Sequence, residues 1–326
     1  MSDLHLEPIQ KEMKTEPIRA GFGRGLVKAG ELDENVVALC ADLTGSVKMD
    51  GFAEKFPERF VQIGIGEQNL VTTAAGMALA GKIPFTASYA AFSPGRNWEQ
   101  IKTTACLNEV PVKVIGGHAG LYTGPDGATH QMLEDIALMR VMPGMVTICP
   151  CDSLEAEKAT LAMAKDPRPN YLRMSREATP VLTTEKTPFK IGKAYVFEKG
   201  EDVTIIATGT MTYHAMVAAE QLFKDGIDAE VIHMPTIKPF DGNTVLKSVK
   251  KTGCVVTIEE AQIIGGLGSA VAEFLAENHP VPMKRLGMQD RYGESGDGEE
   301  LLEHFGLDAK HVRLAAHSVV DRKSDR

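Results

Sequence analysis

FVQIGIGEQNLVTTAAGMALAGKIPFTASYAAF, residues 60–92, reads as apolar strand, glycine turn, alanine-rich helix and second apolar strand. A strand, a helix and another strand within about thirty residues form the unit of a parallel sheet covered by helices. The same alternation extends to both sides from about Pro17. Strands are expected at Val36–Cys40, Phe60–Ile65, Pro84–Ala87, Val112–Gly116, Val146–Cys149 and Tyr171–Met174, with helices at Glu67–Ala80, Gln131–Val141 and Leu154–Lys165.

From Glu177 the chain turns rich in Thr, Pro and Lys and loses its period, which marks a linker. Alternation then resumes with a strand at Val203–Ala207, a helix at Tyr213–Lys224 and a strand at Ala229–His233, and continues to Phe305. The expected organisation is an N-terminal extension (1–16), a parallel-sheet α/β domain (17–180), a linker (181–193) and a smaller α/β domain (194–326). The length of 326 residues suits two cores of ordinary size. The closing DRKSDR is expected to fray.

A net charge of −9 argues against nucleic acid or an anionic membrane as the main partner, because binding phosphate arrays needs clustered Lys and Arg. Five cysteines, an odd number without a CxxC pair, sit mostly in apolar runs and read as reduced core thiols. No apolar run approaches the roughly 18 residues of a membrane span, and the first residues lack a signal-peptide core. A soluble cytoplasmic protein is expected.

Polar and glycine residues gather where the first domain's strands end, the edge at which open α/β sheets bind ligands. Four segments stand out: ADLTGS (41–46), GIGEQN (64–69), TASYAAFSPGRNWEQ (86–100) and GGHAGLYTGPDGATHQ (116–131). Taken alone, Glu67 is a first-turn acid complementing a helix dipole. Tyr89, Phe92 and Trp98 either stack on a planar ligand or fill a core. The glycine-rich loop with His118, Asp126 and His130 is either acid–base machinery, a metal site or a surface turn. Spacing makes metal the weaker of the functional alternatives, and no metal ligand is assigned.

Together, in order, the four segments resemble the pyrimidine-binding domain of transketolases, and the resemblance runs from Pro17 to about Ala316. It implies that Glu67 hydrogen-bonds the aminopyrimidine of thiamine diphosphate in a setting that keeps it partly protonated, that Phe92 stacks on that ring beside Tyr89, and that Asp42 lies in the cofactor site. GPDGATHQ is similar to the family's GEDGxTHQ loop, so Asp126 and His130 are implied to contact substrate, with His118 as an upstream histidine. Arg19, Ser46 and Arg176 are implied to hold a sugar phosphate, and Glu67, His118 and His130 to be catalytic.

A whole transketolase also carries a GDG motif followed by an asparagine, which hold diphosphate and Mg2+. The GDG of this chain, 296–298, has no asparagine after it and reads as a helix-capping turn. The resemblance therefore implies a separate N-terminal, diphosphate- and Mg2+-binding subunit, an α2β2 heterotetramer, and transfer of a two-carbon ketol unit between sugar phosphates. GGLGS (265–269) reads as the cap of a packed helix, not a nucleotide loop. The SPGRN run at 93–97 departs from the family pattern. Rival readings are the β subunit of a 2-oxo-acid dehydrogenase, a deoxyxylulose-phosphate-synthase relative, a non-catalytic module that keeps the fold, and a metal-dependent hydrolase at His118, Asp126 and His130.

Overall fold

The computed structural model of the protein describes residues 4–324. Fourteen strands are described: β1 (Thr15–Pro17), β2 (Val36–Cys40), β3 (Phe60–Gln62), β4 (Ile83–Tyr89), β5 (Lys113–Gly117), β6 (Val146–Ile148), β7 (Asn170–Arg173), β8 (Ala178–Pro180), β9 (Tyr195–Glu198), β10 (Val203–Ala207), β11 (Ala229–His233), β12 (Thr236–Lys238), β13 (Val255–Gln262) and β14 (Met283–Met288). They form a seven-stranded sheet in the order β12-β6-β7-β5-β4-β2-β3, a five-stranded sheet in the order β14-β13-β10-β11-β9, and a β1-β8 pair. The α/β class with helices on both sheet faces is as expected.

Central strands such as VVALC in β2 are buried along their whole length, which is why they read as continuous apolar runs without alternation. Strand β5 opens on a lysine that the interior accommodates. The Lys113 ammonium donates to the carbonyls of Asp166 (2.5 Å) and Arg168 (2.9 Å) and to Asn170 Oδ1 (2.9 Å), while burial pushes its pKa down to about 7.

Several expectations are corrected. The helix expected from Gln131 begins at Asp135, because Gln131 Nε2 instead spans the carbonyls of Gly124 and Glu294, and Met132 pairs with Ala119. The first sheet is closed by β12, which comes from beyond residue 194 and pairs antiparallel with β6. The tail stays helical through Ser324, with Lys323 Nζ on the Asp202 carbonyl; the last two residues of DRKSDR lie outside the described residues.

Residues 181–193 hold no strand or helix but are fastened: the Asp152 carboxylate accepts from Thr183 N and Oγ1, and Thr184 and Thr187 donate to the His5 carbonyl. Leu4, Leu6, Ile9 and Met13 pack on the core of the second sheet. That core also takes in Leu121, Tyr122 and Leu133 from the first section, so the two sheets share apolar packing. All five cysteines are buried and unpaired. Among the described residues, no helix is long and apolar enough to cross a membrane.

Candidate active site at the carboxyl edge of the first sheet

Strand β2 leads to β3 on one side and its other neighbour, β4, leads to β5 on the opposite side, so the carboxyl ends of β2 and β4 flank a topological switch point. Asp42 and Ser46 follow β2, Glu67 follows β3, Tyr89 ends β4 with Phe92 just beyond, His118 follows β5 and Arg176 follows β7. Glu67 is the first residue of the helix Glu67–Leu79, which buries Leu70, Val71 and Ala74 against the sheet. Its side chain is only 3% exposed. The turn before it needs Gly64, at φ 79°.

The residues that grip Glu67 come from the run that departs from the family pattern. Asn97, fully buried, donates from Nδ2 to the Glu67 carbonyl at 2.7 Å and to Ser93 Oγ at 3.1 Å. Arg96 donates from Nη1 to Glu67 Oε2 at 2.7 Å and lies over the Phe92 ring, 4.8 Å from its centroid. The carboxylate thus faces a guanidinium as well as the aromatic rings beyond it.

Four rings make one cluster. Tyr89 stacks on His118 with centroids 3.8 Å apart and lies nearly parallel to Phe92 at 6.0 Å. His130 meets Phe92 edge-on at 5.5 Å, and its Nδ1 bonds Thr129 Oγ1. Burial, with Arg19, Arg176 and His130 adding positive charge, pushes the His118 pKa down to about 3, so this imidazole is neutral at pH 7. It also sits in the left-handed region at φ 55°, unusual for a side chain this large.

Burial, and then the positive charge of nearby Arg176, lower the Arg19 pKa. Arg19 Nη1 donates to the Ser46 carbonyl at 2.7 Å, leaving the hydroxyl of Ser46 out of that contact, and Arg176 Nη1 donates to the Thr123 carbonyl at 3.3 Å. Among the described residues, buried polar atoms around this edge without a partner include Arg19 Nε, His118 Nδ1, Asn97 Oδ1 and Ser175 Oγ. Unpartnered buried donors and acceptors are costly, and a polar ligand would satisfy them. Asp126 and Asp42 are exposed; Asp42 donates its backbone N–H to Gln62 Oε1.

Sequence reasoning missed Arg96, Asn97 and Tyr122. Tyr122 pins the glycine loop to the second section: its N–H donates to Glu260 Oε1 (2.6 Å), and its hydroxyl donates to Glu299 Oε1 (2.5 Å) and bonds His214 Nε2. Only the concentration of polar groups in otherwise small or apolar runs hinted at them. Among the described residues, the side chains that bring three metal-ligand atoms together are Cys151, Glu155 and His233, not His118, Asp126 and His130. That trio is buried and hydrogen-bonded within itself, Glu155 accepting from Cys151 N and from His233 Nε2 at 2.7 Å.

The two glycine motifs cap helices, as read. Asp297 accepts from Glu299 N and Glu300 N, and the Glu259 carboxylate already occupies the N–H groups of Leu267 and Gly268 that GGLGS would offer an anion.

Comparison with known proteins assigns this architecture. Residues 15–181 match the family model of the transketolase pyrimidine binding domain, and 192–312 that of the transketolase C-terminal domain. The chain is 40% identical to the 6-deoxy-6-sulfo-D-fructose transketolase subunit SqwH of Clostridium sp. (strain MSTE9), over 98% of this chain and 99% of that one. It is 43% identical to a putative transketolase C-terminal section of Methanocaldococcus jannaschii, over 90% and 93%. Among solved structures, it matches a split gene transketolase described as an inactive beta4 tetramer, with TM-score 0.89 and 41% identity over 94% of this chain and 99% of that one. Longer relatives, including a 1-deoxy-D-xylulose-5-phosphate synthase of Syntrophus aciditrophicus at 34% identity, are spanned over about half their length (46%). The chain therefore belongs to the transketolase family, as a pyrimidine-binding domain followed by that family's C-terminal domain, and this pairing implies thiamine diphosphate as its cofactor.

Proposed function

We propose that the chain is the C-terminal subunit of a two-chain transketolase, moving a two-carbon ketol unit from a ketose phosphate to an aldose phosphate. The observation that carries this is the convergence, at one sheet edge, of a buried carboxylate, a tyrosine–phenylalanine wall, a neutral imidazole and two neighbouring arginines. Boundaries at 17–180, 181–193 and 194–326 and a cytoplasmic location belong to the same proposal.

The residues fit the pyrimidine end of the cofactor: Glu67 offers a buried carboxylate and Phe92 with Tyr89 a pair of near-parallel rings, while exposed Asp42 follows β2 on the same sheet edge. When bound, thiamine diphosphate supplies the carbon nucleophile that accepts and releases the two-carbon unit. Glu67 orients the ring and holds or yields the proton shared with its nitrogen. His118, neutral and with Nδ1 unpartnered, accepts or donates a hydrogen bond at the substrate's oxygens, and His130 serves beside it as proton carrier. Arg19 and Arg176, with Ser46, clamp the phosphate, since guanidinium forks match its oxygens, and Asp126 contacts a sugar hydroxyl. The diphosphate and Mg2+ are held by a separate N-terminal chain, two copies of each chain forming the enzyme.

The test is reconstitution with such a partner, assayed with xylulose 5-phosphate plus ribose 5-phosphate and, separately, with pyruvate. Because relatives are named for 6-deoxy-6-sulfo-D-fructose and apulose 4-phosphate, these sugars are included. Ketol transfer is expected, and Glu67→Gln is expected to lower it about 100- to 10,000-fold. Turnover of pyruvate alone, or a fully active Glu67→Gln enzyme, would overturn the reading.

A further inference from the structure

Arg96 occupies both groups that would grip the aminopyrimidine. Its guanidinium bonds Glu67 Oε2 at 2.7 Å and covers the Phe92 ring at 4.8 Å. The turn that carries it is held in place: Gly95 N–H donates to the Ala90 carbonyl and Arg96 N–H to the Phe92 carbonyl, while Asn97 ties the same turn to the Glu67 carbonyl. Yet the arginine side chain is 50% exposed, whereas Glu67 is 3% exposed. One partner is buried and fixed; the other reaches in from solvent.

We propose that Arg96 competes with the cofactor: its guanidinium pairs with Glu67 and covers Phe92, the two groups the aminopyrimidine needs, and swings to solvent when that ring docks. The inference rests on the thiamine reading above and adds to it a residue that competes for the site. A buried carboxylate left alone is costly, so the Arg96 guanidinium stabilises Glu67 whenever no other partner reaches it. An ion pair with one exposed partner is weak, so a ligand can displace it. Arg96 thereby sets how tightly the cofactor binds without taking part in transfer.

The experiment measures thiamine diphosphate affinity, with Mg2+ present, by calorimetry on the assembled two-chain enzyme. Arg96→Ala is expected to bind the cofactor about three- to tenfold more tightly, the scale of a partly exposed ion pair. Arg96→Met, which keeps the stem over the ring and loses the charge, is expected to change affinity in the same direction. In a Glu67→Gln background, Arg96→Ala is expected to gain less than in the wild type, because the ion pair is already gone and only the cover over Phe92 remains. Unchanged or weaker binding by Arg96→Ala, with wild-type binding intact, overturns the competition and leaves the thiamine reading standing. A wild-type assembly that binds no thiamine diphosphate overturns both.

Discussion

At the residue scale, the site is governed by what burial does to charge. The backbone holds His118 against Tyr89 with two arginines nearby, and its pKa falls to about 3 from the 6.5 of a free imidazole. Between those values the unfolded chain carries a proton that the folded chain refuses. This residue's effect on stability is therefore nil above about pH 6.5 and becomes a penalty as pH falls below it. Acidifying from pH 7.5 to 5.5 is expected to cost about 1 kcal/mol through His118 alone. Urea denaturation of the wild type and His118→Gln at both pH values checks this: the variant should lose less on acidification, and equal losses would refute the assignment. A proton-coupled NMR titration of the same ring should stay flat across pH 5–8.

At the element scale, long strands and helices were legible because central parallel strands are apolar throughout and amphipathic helices keep their period. Val36–Cys40, Val203–Ala207 and Ala229–His233 coincide with strands as read. The strands that escaped, β1, β8, β9 and β12, have three or four residues each, too few to carry a period, and pair with partners distant in sequence. The site divides the same way. Glu67 and the histidine loop were marked by local pattern, whereas Arg96 and Asn97 matter through contacts 29 and 30 residues away in sequence. Their turn depends on Gly95, where an added Cβ would lie 2.2 Å from the Ala91 carbonyl oxygen, a backbone atom that cannot simply swing aside. Gly95→Ala is thus expected to cost about 1–3 kcal/mol and to shift the emission of Trp98, the only tryptophan in the chain. Denaturation followed by that fluorescence measures both; an unchanged midpoint and spectrum would show that the turn is not tightly fixed.

At the scale of the whole molecule, the two sheets are joined by charge as well as by apolar packing. Arg173 on β7 is 6% exposed, pairs with Asp135 at 2.9 Å and donates from Nη2 to the carbonyl of Glu260 on β13. The Glu260 carboxylate in turn accepts from Tyr122 N and Thr210 Oγ1, so one network ties the first sheet, the glycine loop and the second sheet. Replacing Arg173 by Met would leave Asp135 and Glu260 buried without their cation, a loss of about 3–5 kcal/mol in comparable buried pairs. If the network couples the sections, that loss is felt by both. Trp98 fluorescence, which reports the first section, and far-UV circular dichroism, which reports all helices, should move together to a lower denaturant midpoint in Arg173→Met. A Trp98 transition that stays at the wild-type midpoint while the dichroism splits in two would show that the sections hold their stability separately. The coupling matters for function because the loop bearing His118 and His130 is anchored on one side by β5 and on the other, through Tyr122, by residues of the second section.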